Sequence, residues 1–272
     1  MAKAGKTIQE INARIREGKA VVLTAAEMTE AVKRMGKTKA AREVDVVTTG
    51  TFSPMCSSGL LFNIGQQNPP ALRTSSVSLN NVPAHAGLAA VDSYLGATEA
   101  AADDPLNKVY PGNFKYGGGH VIEDLVRGKP VRLKAVSYGT DCYPNRGFER
   151  DITLAQLPYA QLLNPRNCYQ NYNVAVNVTN RTIYTYMGPL KPSMKNANYA
   201  TAGLLSPLFN DPYLRTIGLG TKILLAGGTG WVLGAGTQHN PKPKRTERGI
   251  PLSPAGTLML RGDLKGMNPR YL

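Results

Sequence analysis

The chain has 272 residues, 42% of them apolar, a formal charge of +14 and three cysteines. This allows a sizeable core but supplies too few thiols for a disulfide framework. No apolar run is long enough for a membrane helix, and the N-terminal stretch MAKAGKTIQEINARIREGK is too polar for a signal peptide, so an intracellular, cytoplasmic, reduced protein is expected.

TIQEINARIREG opens with a capping box, Thr7 with Glu10, and places Ile8, Ile11 and Ile15 at helical spacing before Gly18. AVVLT reads as a short strand. TAAEMTEAVKRMG repeats the device with Thr24 and Glu27 and stops at Gly36. VDVVTTG, 44–50, reads as a buried strand running into a loop. SSVSLNNVPAHAG, 75–87, mixes strand and turn, and LAAVDSYLGATEA after it is expected to be helical. Residues 103–120 read as an irregular connection ending in three glycines, followed by a short helix, VIEDLVRG, at 121–128. VRLKAVSYGTDC, 131–142, alternates as a strand and then enters a glycine loop. ITLAQL, 152–157, is expected to be helical from near Thr153. NYNVAVNVTNRTIYTYMG, 171–188, gives the strongest hairpin signal, with its turn at Thr179–Asn180–Arg181. TKILLAGGTGWVLGAG, 221–236, reads as strand, glycine turn, strand.

The fold class expected is α/β: a mixed sheet with flanking helices and glycine-rich loops at strand ends, with strand order not legible. A single domain is expected over 1–240. Residues 241–272 are basic and rich in Pro and Gly, and read as an extended arm or as part of the same domain.

Basic residues are spread over the chain, in KRMGKTKAAR, RGKPVRLK and KPKRTERG. No zinc finger, aromatic-interleaved strand or basic recognition helix accompanies them. A basic scaffold or RNA-binding module is therefore a third-ranked reading, behind a surface that attracts anionic metabolites or an acidic protein. YGGGH, 116–120, stands before a helix and could offer the backbone N–H groups of Gly118 and Gly119 to an anion. No GK[ST] follows, and neither GGTG nor GLGT completes a dinucleotide fingerprint.

The cysteines carry the clearest chemical signal. Cys56 and Cys142 each follow an apolar strand, a Gly-Thr step and a short excursion: VDVVTTGTFSPMC and VRLKAVSYGTDC. Strand ends that feed glycine loops are places where reactive groups gather. A helix start after Cys56, or Arg146 beside Cys142, would favour a thiolate. Two ordinary buried cysteines would leave the same pattern. Cys168, in LNPRNCYQNYN, has no such strand before it and reads as structural. The absence of any CxxC argues against a zinc ribbon, yet Cys56, Cys142 and Cys168 could together hold an iron–sulfur cluster with one open iron. Among the histidines, His120 is best placed to face a ligand. The polar cluster NPRNCYQNYN offers Arg166 and Asn167, and Arg146 is a second candidate for a substrate carboxylate. Asp141 and Asp92 could bind an amine or move a proton.

These strings, together with LNNVPAHAGLAAVDSYLGATE, TIYTYMGPL, LSPLFNDPYLRTIGLGTKI and GTQHNP, resemble the homocysteine-biosynthesis family, once labelled a domain of unknown function. Archaeal members of that family are similar to an L-aspartate semialdehyde sulfurtransferase. The likeness covers most of residues 5–262 and rests on long, unusual strings. It implies an enzyme that places sulfide sulfur on aspartate semialdehyde to give homocysteine. It also implies that Cys56 and Cys142 are the functional cysteines and that a ferredoxin-like iron–sulfur protein supplies electrons. In the route it suggests, one thiolate carries a persulfide and the other resolves it, with Cys142 slightly preferred as carrier. Arg146 or Arg166 would hold the carboxylate, and the glycine loops would steady an oxyanion. The preferred route needs no cofactor; the alternative performs the same sulfur insertion at a cysteine-ligated cluster. A homodimer is compatible with either route. Some members carry regulatory CBS domains after the catalytic part, and further sequence is expected beyond NPRYL.

Overall fold

The computed structural model describes residues 5–48, 57–106, 114–168, 173–185, 188–200, 211–245, 247, 256–269 and 272. In chain order the elements are α1 (Ile8–Arg16), β1 (Val22–Thr24), α2 (Ala25–Met35), α3 (Lys37–Glu43), β2 (Val46–Thr48), β3 (Gly59–Asn63), β4 (Thr74–Leu79), β5 (Val82–Ala86) and β6 (Asp92–Gly96). There follow α4 (Gly118–Val126), β7 (Val131–Ser137), β8 (Gly147–Ile152), β9 (Tyr159–Cys168), β10 (Asn173–Val176), β11 (Ile183–Thr185), β12 (Gly188–Leu190) and β13 (Ala197–Ala200). The chain ends with β14 (Lys222–Leu225), β15 (Gly228–Ala235) and β16 (Thr257–Asp263). The architecture is mixed α/β with one large open sheet, as expected. The chain divides into two compact units. The first holds Met1–Thr49, Cys168–Thr221 and Leu233–Leu258; the second holds Gly50–Asn167, Lys222–Val232 and Met259–Leu272.

In the first unit both capping boxes form. Thr7 Oγ1 accepts from Glu10 N at 3.2 Å while Glu10 Oε2 accepts from Thr7 N at 2.6 Å, and Thr24 with Glu27 repeats the pair at 3.2 and 2.8 Å. Gly36 ends α2 at φ 79°, a conformation that favours glycine. β1 and β2 pair in parallel, with α2 and α3 forming the crossover. Asp45, whose side chain is fully buried, takes an ion pair from Lys6, another from Arg14 at 2.9 Å, and the Val21 N–H at 2.7 Å.

The hairpin expected over 171–188 is not formed. β10 pairs with β13, and β11 pairs with β12. Asn177, 1% exposed, explains the departure. Its amide donates to Arg181 O at 2.6 Å and Leu190 O at 3.0 Å, and its Oδ1 accepts from Thr179 N at 2.9 Å. This knot turns the chain out of β10 before β11 can pair back on it.

The scaffold of the second unit is a ten-stranded sheet in the order β14-β15-β16-β9-β3-β6-β5-β4-β7-β8. The pairings of β3 with β6 and β9, and of β7 with β4 and β8, are antiparallel. β7 alternates as expected, with Val131, Leu133, Ala135 and Ser137 buried. Leu60, Phe62, Leu95 and Leu162 form the core face of the neighbouring strands, and α4 contributes Val121, Ile122 and Leu125 to the core. Asn80 and Asn81, at φ 50° and 62°, form the two-residue turn between β4 and β5.

Two helical expectations fail here. LAAVDSYLGATEA contains β6, in which Ser93 and Leu95 point inward with period two, and whose backbone is claimed by β3 and β5. In ITLAQL, Ile152 ends β8 and only Leu154–Gln156 coils, as one 3-10 turn. The stretch read as a C-terminal arm contains β16, which lies between β15 and β9 inside the sheet.

Candidate functional site

The antiparallel register brings three segments to one end of the sheet, all within the second unit. Gly59 opens β3 opposite Gly96, which closes β6, and opposite Leu163 on β9. Backbone bonds tie these ends to α4. Ser58 O accepts from Ala97 N at 2.8 Å, and Ala97 O accepts from Gly119 N at 2.9 Å. Cys56 lies outside the described residues. Ser57, bonded to it, does not, and so fixes where that loop enters the sheet.

Asn164 holds this entry point. It is fully buried on β9. Its Oδ1 accepts from Ser57 Oγ at 3.0 Å and from Arg166 N at 3.0 Å, and its amide donates to Ser58 Oγ at 3.0 Å. Ser57 Oγ is also 3.0 Å from Arg166 O. These bonds tie Ser57 and Ser58 to β9. The helix start expected at Ser57, Ser58 and Gly59 is not formed, since Gly59 opens the strand β3, and Asn164 was not singled out from sequence. The signal available was the density of amides in NPRN.

The first turn of α4 is adjacent. The N–H groups of Gly118 and Gly119 were expected to cradle an anion, but they are engaged by Glu99 O at 2.8 Å and Ala97 O at 2.9 Å. The reason for glycine is close approach: a Cβ on Gly118 would overlap Gly96 O. His120 is exposed, and its Nδ1 accepts from Gly117 N at 3.2 Å, which assigns the proton of the neutral ring to Nε2. Its ring stacks on Tyr116 with centroids 5.4 Å apart. Tyr116 OH donates to Asp124 at 2.8 Å and accepts from Asn80 at 2.9 Å; burial, with Asp124 beside it, pushes its pKa up to about 12. Arg166 is half-buried and Asn167 is buried beyond Asn164 on β9, whose last residue is Cys168. The Cys168 side chain lies outside the described set.

Cys142 is elsewhere. It is an exposed free thiol at the tip of the loop joining β7 to β8, at the opposite end of the strands. Thr140 and Tyr143 exchange backbone hydrogen bonds at 3.0 and 3.2 Å and present Asp141 and Cys142 between them. Asn145 fastens the loop to Pro70 O at 3.3 Å and Pro69 O at 3.2 Å. Arg146 lies along Gly139, where a Cβ would come 2.7 Å from its Cγ. Thus His120, Gly118, Gly119, Arg166 and Asn167 gather with the Cys56 entry point, whereas Cys142, Asp141 and Arg146 form a second group. Asp92 is engaged by the Asn63 amide at 2.6 Å. Among the described residues no group of three His, Cys, Asp or Glu side chains is arranged to hold a metal. No described helix is long and apolar enough to cross a membrane.

Comparison with known proteins gives these groups a context. The model of the family described as "Homocysteine biosynthesis enzyme, sulfur-incorporation" matches residues 20–272. The chain is 50% identical over 272 residues to an L-aspartate semialdehyde sulfurtransferase of Methanocaldococcus jannaschii, and 49% identical over 267 residues to one of Methanosarcina acetivorans. Each alignment covers 98% of this chain and 50% of the relative, so the chain spans about half the length of these curated relatives. An uncharacterised protein of Methanothermobacter thermautotrophicus is 32% identical over 275 residues, covering 97% of this chain and 57% of the relative. No solved structure matches the chain. The extent of the family match shows that the chain belongs to the homocysteine biosynthesis, sulfur-incorporation family.

Proposed function

We propose that this chain carries the sulfur-insertion step of an L-aspartate semialdehyde sulfurtransferase, forming homocysteine from the semialdehyde and sulfide. The observation that carries the reading is half-identity, over nearly the whole chain, with two relatives bearing that name. Net, sulfide replaces the aldehyde oxygen, water leaves, and two electrons and two protons are consumed. Sulfide alone does not make a cysteine persulfide, so a persulfide on the cysteine implies a donor persulfide that passes on its outer sulfur and leaves as a thiol. From there four electrons and four protons are consumed, two to cleave the disulfide-linked adduct and two at the carbon.

Cys56 is the thiol we favour as sulfur carrier, which reverses the preference read from sequence. Its neighbours Ser57 and Ser58 are locked by Asn164, and His120 and Arg166 stand at the same end of the sheet. Arg166 would take the substrate carboxylate, and the His120 Nε2–H would donate to the departing oxygen. Cys142, exposed at the other end, suits exchange with an incoming sulfur or thiol donor. The +14 charge supports docking of an acidic, ferredoxin-like electron donor, in the reducing cytoplasm where free thiols persist.

The test is anaerobic homocysteine formation from aspartate semialdehyde, sulfide and a reductant, with wild type beside C56A, C142A and C168A. Loss with C56A supports the reading, and wild-type rates in all three variants end the thiol mechanism. Iron and labile-sulfide analysis of the same preparations tests the cluster alternative: stoichiometric iron lost with any cysteine variant would replace the persulfide route.

A further inference from the structure

The strings LSPLFNDPYLRTIGLGTKI and GTQHNP have no part in the sulfur chemistry above, yet the first unit builds a cleft with one and pins it with the other. Asp211 organises the loop that follows it. It is 1% exposed, and its carboxylate accepts from Arg215 N at 2.9 Å, Thr216 N at 2.6 Å and Thr216 Oγ1 at 2.7 Å. His239, in GTQHNP, fixes the same loop. Its Nδ1 accepts from Thr257 N at 3.2 Å, so the neutral ring carries its proton on Nε2 and donates to Pro212 O at 2.8 Å.

The loop held in this way faces α1, and a cleft of about 260 Å³ lies between them. Ile15, Pro212 and Tyr213 form its apolar wall, and Asn12, Arg16 and Arg215 its polar wall. Arg215 ties the two segments together: its Nη1 donates to Arg16 O at 3.3 Å, and its guanidinium carbon stands 5.8 Å from the centre of the Tyr213 ring. That bond uses one of five N–H donors. Arg14, on the same helix, is paired with Asp45. Among the described residues no carboxylate pairs with Arg16 or with Arg215. Asp211 also borders the cleft, but it is buried and its oxygens are turned to the three donors of its own loop.

Two guanidinium groups without a counter-charge on one cleft suit an oxyanion. The two oxygens of a carboxylate are filled by one guanidinium fork, whereas a phosphate presents three terminal oxygens and can accept from two forks. The volume is just below the roughly 300 Å³ at which drug-sized sites begin, so the ligand is small. We propose that this cleft binds a small phosphate monoester, with its phosphate between Arg16 and Arg215 and its body against Ile15, Pro212 and Tyr213. The site goes beyond the sulfur-insertion reading, in which none of these residues takes part.

The experiment is calorimetric titration of the full chain at constant ionic strength with phenyl phosphate and with benzoate, which carry one ring under different head groups. Wild type should bind phenyl phosphate saturably and at least tenfold more tightly than benzoate. Arg16→Gln should weaken phenyl phosphate by tenfold or more. The Arg16 side chain has no hydrogen-bond or ionic partner among the described residues, so without ligand this variant should unfold where wild type does. Arg215→Gln should weaken binding as much. Arg34→Gln, which removes an exposed charge of α2 outside the cleft, should bind as wild type does. No saturation with phenyl phosphate in wild type would overturn the proposal, and so would binding that survives Arg16→Gln. Benzoate binding as tightly as phenyl phosphate would overturn the phosphate assignment. Equal weakening by Arg34→Gln would reduce the effect to net charge and overturn the site.

Discussion

Asn164 joins the strand β9 to the serine that follows Cys56: its Oδ1 accepts from Ser57 Oγ at 3.0 Å, and its amide holds Ser58 at the same distance. Asn164→Ala should therefore remove one hydrogen-bond partner from each serine hydroxyl, leaving Ser57 Oγ with Arg166 O. A loss of about 1–3 kcal/mol is expected in urea unfolding. Homocysteine formation should fall by more than the lost folded fraction accounts for, because the thiol loop is no longer held. Unchanged turnover in folded Asn164→Ala would show that this knot supports the fold alone.

Gly59 and Tyr94 give a prediction that does not depend on activity. Gly59→Ala forces the new methyl into the end of the Tyr94 ring, and overpacking of this kind costs about 1–3 kcal/mol. The double variant Gly59→Ala/Tyr94→Leu should recover much of that loss, because the shortened side chain vacates the space. Additive losses in a double-mutant cycle would mean that the two residues do not press on each other.

The capping boxes at Thr7 and Thr24, the alternation of β7 and the hairpin of β14 with β15 were legible because each is specified within a dozen residues. What escaped was decided at longer range. Asp92–Gly96 reads as helical by composition but is a strand because β3 and β5 claim its backbone. Asn173–Val176 has a fitting partner close by, yet Asn177 sends it to Ala197–Ala200 instead. Cys56 and Cys142 look alike as strings because both follow a strand into a Gly-Thr loop. The antiparallel registers then put Gly59, where β3 begins, and Ser137, where β7 ends, at opposite ends of the sheet, which no local pattern encodes. Gly118 and Gly119 looked like an anion cradle for the same reason: sequence shows the glycines but not the carbonyls of Glu99 and Ala97 that occupy their N–H groups.

Cys142 should be the first described thiol to react. It is exposed on a loop tip, so brief alkylation of native protein with iodoacetamide should label it ahead of full denaturation, as read by peptide mass mapping. Cys142→Ala should lower homocysteine formation only partly when sulfide is supplied freely, and more strongly when a protein sulfur donor is limiting. Complete loss with free sulfide would instead put Cys142 at the carbon–sulfur bond-forming step.

Asp45 should set the acid limit of the first unit. Burial pushes its pKa up, but the Lys6 hydrogen bond, the Val21 N–H and the charges of Lys6 and Arg14 outweigh burial and hold it below the ordinary carboxylate value. A folded pKa below the unfolded one means that the unfolded chain takes up the proton first as pH falls. The stabilisation is thus fully present above the unfolded aspartate value, about 3.9, and is lost as pH falls through the lower folded value. Asp45→Asn removes the charge at every pH. Its stability deficit against wild type in urea unfolding should be largest near neutrality and shrink below about pH 4. A deficit of the same size at pH 7 and pH 3 would mean that Asp45 acts through its hydrogen bonds to Val21 and Lys6 and not through its charge.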